Sequence, residues 1–409
     1  MSDLVIPNGW KKVKFDDVAK QVKDIVDIEK TGLERYVAGE HMETDSFRIR
    51  QWGLIGDGYL GPAFHMRFKK GHILYGSRRT YLRKVAIADF DGICANTTFV
   101  IEPKIGIAEG VLPFIMQSER FVAHSIKNSK GSTNPYINWK DIGKYEFPLP
   151  PLAEQERIVE ILWAVENSIW KTNCAMEASK RYNNRIMDHL FHKGINHKSY
   201  KDSPLGKVPN SWIIGKFTDY IDFQEGPGIM ATDFKETGVP LLRLVNVNEE
   251  YTVLTGCNYL SHEKVDIKWN QFRLKEHDVL ITCSASTGLV SEVTKDCEGA
   301  IAYTGIMRLR PKKGLNRGYM KLFVSSELFF KQINLMKTGS VIQHYGPYHL
   351  KRMYIPIPPE PEQERIIEVM LQINYYIRLH VQNITNLKNM KNQLLNDLLS
   401  GKRILRGET

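Results

Sequence analysis

Residues 148–158 read PLPPLAEQERI and residues 356–366 read PIPPEPEQERI, eight identical positions without a gap at an offset of 208. Chance does not repeat Pro148, Pro150, Pro151, Glu154, Gln155, Glu156, Arg157 and Ile158 as Pro356, Pro358, Pro359, Glu362, Gln363, Glu364, Arg365 and Ile366. The chain carries an internal duplication, so whatever it folds into is built twice. Proline followed by Glu154 and Glu156, or by Glu362 and Glu364, is the composition of a helix start, where a missing N–H is tolerated and carboxylates meet the positive end of the helix dipole.

Beyond each start runs a mostly apolar seam at alternating steps of four and three. The first is Ile158, Leu162, Val165, Ile169, Thr172, Met176, Ser179, Asn183, Ile186 and Leu190. The second is Ile366, Met370, Ile373, Ile377, His380, Ile384, Leu387, Lys391, Leu394 and Leu398. Both have coiled-coil spacing, and polar breaks at matching places (Thr172 with His380, Asn183 with Lys391) suit residues that fix register. His192-Lys193-Gly194 and Gly401-Lys402-Arg403 close the two patterns as helix ends prefer. Roughly 40 residues make a rod on the order of 60 Å long. The two rods can pair with each other in parallel or antiparallel sense, and spacing alone leaves both open.

Between the rods lie stretches rich in short β-branched and aromatic runs (ILYGS, VAIADF, TTFVIEP; VPLLRLVNV, DVLITC) separated by Gly, Asp and Pro, which predict twisted sheets with a few helices. They echo one another at Pro7-Asn8-Gly9-Trp10 and Pro209-Asn210-Ser211-Trp212, and again at KKGHILYGS (69–77) and LKEHDVLITCS (274–284). The plan is therefore globular domain 1–149, helical region 150–196, globular domain 197–357 and helical region 358–409. Apolar runs fall short of the ~18–20 residues that span a bilayer, and MSDLVIPNGW lacks a signal-peptide pattern, so a cytoplasmic, non-membrane protein is expected. Five cysteines form no CxxC pair, which suits free thiols and argues against structural zinc. The net charge of +10 favours a polyanionic partner.

No catalytic constellation emerges. The literal GxGxxG at Gly56–Gly61 is followed by Pro62 rather than a helix and reads as a glycine-rich loop. Asn134-Pro135-Tyr136 lacks one proline of the motif that holds a flipped adenine and reads as a turn. GxxxxGK[ST] and HExxH are missing, and His189, His192 and His197 read as helix-end residues, so no metal site is expected. What does stand out is the basic loop Ser77–Lys84, with Arg78, Arg79, Tyr81, Arg83 and Lys84 between two strand-like runs. Such a loop suits phosphate neutralisation and bidentate reading of guanine by arginine; the residues alone leave a solvated, charged strand edge equally open. Lys127–Asn138 is a second candidate loop, carrying Lys130, Ser132 and Asn134. At the 208 offset it aligns with 335–346, which places Ser340, Gln343, His344 and Tyr345 among the candidates, and Ser284, Ser286 and Thr287 take the place of the basic loop in the second domain.

The doubled PLPPLAEQERI / PIPPEPEQERI at the head of long helices, each preceded by a variable domain, resembles the specificity subunit of type I restriction-modification systems over essentially the whole chain. The resemblance implies an α+β fold with two target recognition domains and two long helices paired as an antiparallel coiled coil, in pseudo-two-fold symmetry. It implies a non-catalytic chain that reads a bipartite double-stranded DNA site. Two methylation subunits using S-adenosylmethionine are the implied partners, with two motor-nuclease subunits using ATP and magnesium; this chain itself is expected to hold no cofactor. The specificity chain of a type IIB-like system and a coiled-coil adaptor without DNA binding are the alternatives.

Overall fold

The computed structural model describes residues 6–284, 288–336 and 345–402. Packing divides the chain into two compact units, Met1–Cys174 with Gln382–Thr409, and Ala175–Val381. Two long helices dominate the element order, Leu152–Lys193 and Glu360–Leu399, with 42 and 40 residues. The repeated prolines begin them as expected. Pro151 accepts the first backbone bonds of one rod, from Glu154 N at 2.9 Å and Gln155 N at 3.0 Å; Pro359, at the same place in the repeat, does so for the other, from Glu362 N at 2.9 Å and Gln363 N at 3.1 Å.

In the first unit a ribbon of Lys11–Lys14 and Glu146–Leu149 opens and closes the domain. Inside it an antiparallel sheet runs in the order Ala19–Val22, Thr98–Pro103, Ile73–Gly76, Val85–Ile87. A second sheet has the order Gly53–Leu54, Arg35–Val37, Gly92–Ala95, Phe64–Phe68, with one parallel contact between Arg35–Val37 and Gly92–Ala95. The glycine-rich stretch is a turn between Gly53–Leu54 and the strand Phe64–Phe68, with no helix to support a dinucleotide reading.

The second unit repeats this plan. Its ribbon is Ile213–Lys216 with Tyr354–Ile357. Its antiparallel sheet runs Ile221–Glu225, Ile306–Pro311, Val279–Thr282, Val290–Glu292, and a three-stranded sheet again has one parallel pair, Val239–Leu242 with Ile301–Ala302. The echoed stretches ILYG and VLIT thus occupy the same position in matching sheets.

Each domain core extends into the rods. In the first unit Phe15, Phe47, Phe114 and Phe121 pack in one cluster with Ile158 and Leu162 from the start of one rod and Leu395 and Leu398 from the end of the other. In the second, Trp212, Tyr319, Phe323 and Phe329 share a cluster with Ile366 and Met370 from a rod start and Met187, Leu190 and Phe191 from a rod end. Start meets end in both units, which is the antiparallel sense. Burying these large side chains supplies most of the attachment, at about 1.5–3 kcal/mol each.

The seam shows where rod and domain compete. Ile158, Leu162, Val165, Ile169, Leu190, Ile366, Met370, Ile384 and Leu398 are buried, whereas Ile186, Ile373, Ile377 and Leu394 are half-buried. Next to Ile186 and Leu394 the buried residues are Met187 and Leu395, one position on. The stripe shifts there because the rod end faces a domain core as well as the other rod.

Candidate nucleic-acid interface

The repeated motif acquires a physical reason in the structure. Trp10 Nε1 donates to Glu154 Oε2 at 3.0 Å, and Trp212 Nε1 donates to Glu362 Oε2 at 2.9 Å. The next residue is a staple in both copies. Gln155 Oε1 accepts from Ala108 N at 2.9 Å while its Nε2 donates to Pro150 O at 2.9 Å. Gln363 Oε1 accepts from Asn316 N at 2.8 Å, and its Nε2 donates to Gly314 O and Pro358 O, both at 3.0 Å. Buried amide groups satisfied on both sides fix orientation, because leaving either side unmade costs its full desolvation. The PN[GS]W…EQ pairing therefore seats each domain on its rod and fixes where its loops point.

On that seat the two loops singled out in the first domain become one surface. Strands Ile73–Gly76 and Val85–Ile87 hold the ends of the basic loop. Main-chain bonds then tie it to the second loop: Ile137 N to Ser77 O at 2.9 Å and Arg79 N to Pro135 O at 2.6 Å. Tyr136 exchanges backbone bonds with Lys130, at 2.9 and 2.8 Å. Buried hydroxyls lock the underside, Ser77 Oγ donating to Thr97 O at 2.6 Å and Thr80 Oγ1 lying 3.2 Å from Ser129 Oγ. Arg79 and Arg83 flank a short helical turn, Thr80–Leu82, and both take left-handed backbone with φ of 50°. Non-glycine residues adopt that region at a cost, so the surrounding bonds must hold them there.

Above this frame Arg78 and Arg79 are exposed, and among the described residues neither side chain has an ion-pair or hydrogen-bond partner. Tyr81 is 50% exposed and Tyr136 42% exposed beside them, with Lys127, Lys130, Ser132 and Thr133 also exposed and Asn134 half-buried. Lys130 lies 3.7 Å from Asp141 across an exposed pair of the kind worth little in water. Arg83 and Lys84 are used differently. Arg83 makes a bidentate bond to Glu119 at 2.6 and 2.8 Å, which raises its pKa, and Lys84 donates to the Gly39 carbonyl. Both brace the loop from within the chain.

The second domain gives less. Ser284 is half-buried, and Ser286, Thr287, Ser340, Gln343 and His344 lie outside the described residues. Tyr345 requires a correction. It is 3% exposed, packs against Phe329, and its hydroxyl donates to Thr282 O at 3.2 Å. Burial drives its pKa well up, so it stays a neutral phenol inside the domain. Its backbone N donates to Cys283 O at 3.1 Å, the bond that Ile137 makes to Ser77 O in the first domain. Tyr345 is thus a loop anchor rather than a donor to DNA.

Sequence reasoning missed Tyr136 and Lys127 on the surface. It also missed a buried cluster beneath the first domain. There Lys391 Nζ contacts Glu166 Oε2 at 2.7 Å and Gln117 Oε1 at 2.9 Å, with its ammonium 4.7 Å from the Phe47 ring centroid. The Lys391 and Glu166 side chains are 5% and 6% exposed.

The family described as the type I restriction modification DNA specificity domain matches residues 7–174 and 216–389. The chain is similar to the type I restriction enzyme MjaVIII specificity subunit of Methanocaldococcus jannaschii, 24% identical over 421 residues that span 98% of this chain and 95% of that protein. It is also similar to the type I restriction enzyme EcoDI specificity subunit of Escherichia coli, 33% identical over 172 residues, 41% of this chain and 37% of that one. A solved structure concerned with complex assembly and conformational transition of the type I R-M system shares the fold, with a TM-score of 0.62 at 21% identity over 98% of this chain and 100% of the other. So does the type I S subunit from M. genitalium, at a TM-score of 0.52 and 13% identity over 97% and 98% of the two chains.

Proposed function

The chain belongs to the type I restriction-modification DNA specificity family, and from that premise we propose that it is the non-catalytic subunit that reads a bipartite, asymmetric double-stranded DNA site. The observation that carries this reading is the joined surface of the first domain: unpartnered Arg78 and Arg79 beside exposed Tyr81 and Tyr136 on a frame fixed by backbone bonds. Guanidinium groups free of intrachain partners are available to O6 and N7 of guanine or to phosphate oxygens, and the preset backbone reduces the ordering cost of binding. The second domain repeats the frame with other residues at the loop positions, which supports a different half-site. Two domains held on paired rods make half-site spacing a dimension of the protein.

The chemistry then resides in partners. Methylation subunits, two per complex, supply S-adenosylmethionine-dependent methylation of adenine, and two motor-nuclease subunits supply ATP- and magnesium-dependent translocation and cleavage. The setting is the cytoplasm; among the described residues no helix is long and apolar enough to cross a membrane. Co-expression with the methylation subunits in a methylation-free host, followed by sequencing of modified adenines, tests the reading. One asymmetric bipartite motif is expected. A verified complex that yields no motif overturns it.

A further inference from the structure

The duplication preserves more than the fold uses. Over residues 154–160 and 362–368 six of seven positions are identical, whereas over the next 33, 161–193 against 369–401, four are. Identity is confined to the first turns of the rods. Glu154, Gln155 and Ile158, with Glu362, Gln363 and Ile366, have the internal duties described above. Glu156, Arg157 and Glu160 do not, and neither do Glu364, Arg365 and Glu368. All six are exposed, and among the described residues none has an ion-pair or hydrogen-bond partner for its side chain. Their repetition does nothing for the helices either, since like charges four apart, Glu156 with Glu160 and Glu364 with Glu368, are unfavourable on a helix surface. They are the fifth, sixth and ninth residues of each rod, beyond the first turn and its unsatisfied N–H groups.

We infer that these two triads are one docking epitope presented twice, each binding a copy of the same protein through a patch of opposite charge order. Two carboxylates per triad repel phosphate, so nucleic acid does not fit there. A contact kept identical at two places while the rods around it diverged fits a partner that is itself present twice. On the function proposed above, on which this inference rests, that partner is the methylation subunit. The epitope then fixes a ratio of two methylation subunits to one chain.

The test uses the full chain with its methylation subunit, complexes being weighed by native mass spectrometry. The wild-type chain should take up two copies. Glu156→Lys, Arg157→Glu and Glu160→Lys together should leave one, and adding Glu364→Lys, Arg365→Glu and Glu368→Lys should lower affinity at least tenfold at both places. Helicity and salt-sensitive DNA binding of the free chain should be unchanged, since the substituted positions face solvent. A six-fold variant that still loads two copies overturns the epitope alone, as does a wild-type chain that saturates at one. A wild-type chain that loads none overturns the functional reading together with it.

Discussion

The two units start from one plan and are fastened differently. At the rod start they agree: Trp10 with Glu154 and Trp212 with Glu362, each followed by a stapling glutamine. Farther along they part. In the first unit Trp163 packs on Phe47 and Phe114, Arg48 and Arg50 both lie 4.7 Å from the Trp170 ring centroid, and Lys391 is buried against Glu166 and Gln117. At the 208 offset the second unit has Leu371 for Trp163, Arg378 for Trp170, and Asn374 and Asn183 for Glu166 and Lys391. Leu371 is 56% exposed, and Arg378 reaches the domain through an exposed pair with Glu250. A duplicated fold can therefore share its anchoring turn while one copy gains a polar, buried lock that the other lacks.

Breaking that lock should give the largest effect. Lys391→Met strands the Glu166 carboxylate in the core and should cost about 3–5 kcal/mol, read as an earlier first transition in urea. Asn183→Ala, the matching change in the second unit, should cost less than about 1 kcal/mol. Equal losses would erase the difference. Lys391→Met with Glu166→Met should recover most of the stability, because a well-packed apolar pair often equals a buried ion pair. Replacing Arg78 by alanine should relax the methylated motif in one half only, by roughly 1–3 kcal/mol if the contact is bidentate to a base. A uniform loss across sequences would mark a phosphate contact instead. Trp10→Phe and Trp212→Phe should each cost about 1–3 kcal/mol through the bereft carboxylate, in like measure, because this anchoring is common to both units; thermal unfolding of the two variants checks it. The smallest change is expected from Arg378→Ala, less than about 1 kcal/mol at an exposed pair, measurable against the wild-type denaturation midpoint.

The rods and their duplication were legible because periodicity and a repeated helix start are local signals. The antiparallel sense was not, since it is decided by which domain core receives which rod end. Lys391 was read as a polar break in the seam, but its partners come from the other rod and from the first domain, and no spacing rule joins 391 to 166 and 117. The basic loop was visible as composition. Its union with the loop at 127–138 rests on main-chain bonds, which leave no trace in residue type. Tyr345 went wrong for an instructive reason: the offset that aligned the loops also sets it on Ile137, a buried position, yet a tyrosine among Ser340, Gln343 and His344 looks like a surface residue. Tyr136 was weighed only as part of a base-holding motif and dropped when that motif failed.

The ribbon that opens and closes each domain has a consequence of its own. Lys14 lies opposite Glu146 in one antiparallel pair and Lys216 opposite Tyr354 in the other, so the chain enters and leaves each domain at adjacent points. Everything between those points hangs from a single two-stranded stalk. A segment of different length or sequence with the same stalk can be spliced in without disturbing the rod below, which makes the reading head an exchangeable cartridge and lets a new target arise by recombination rather than by gradual redesign.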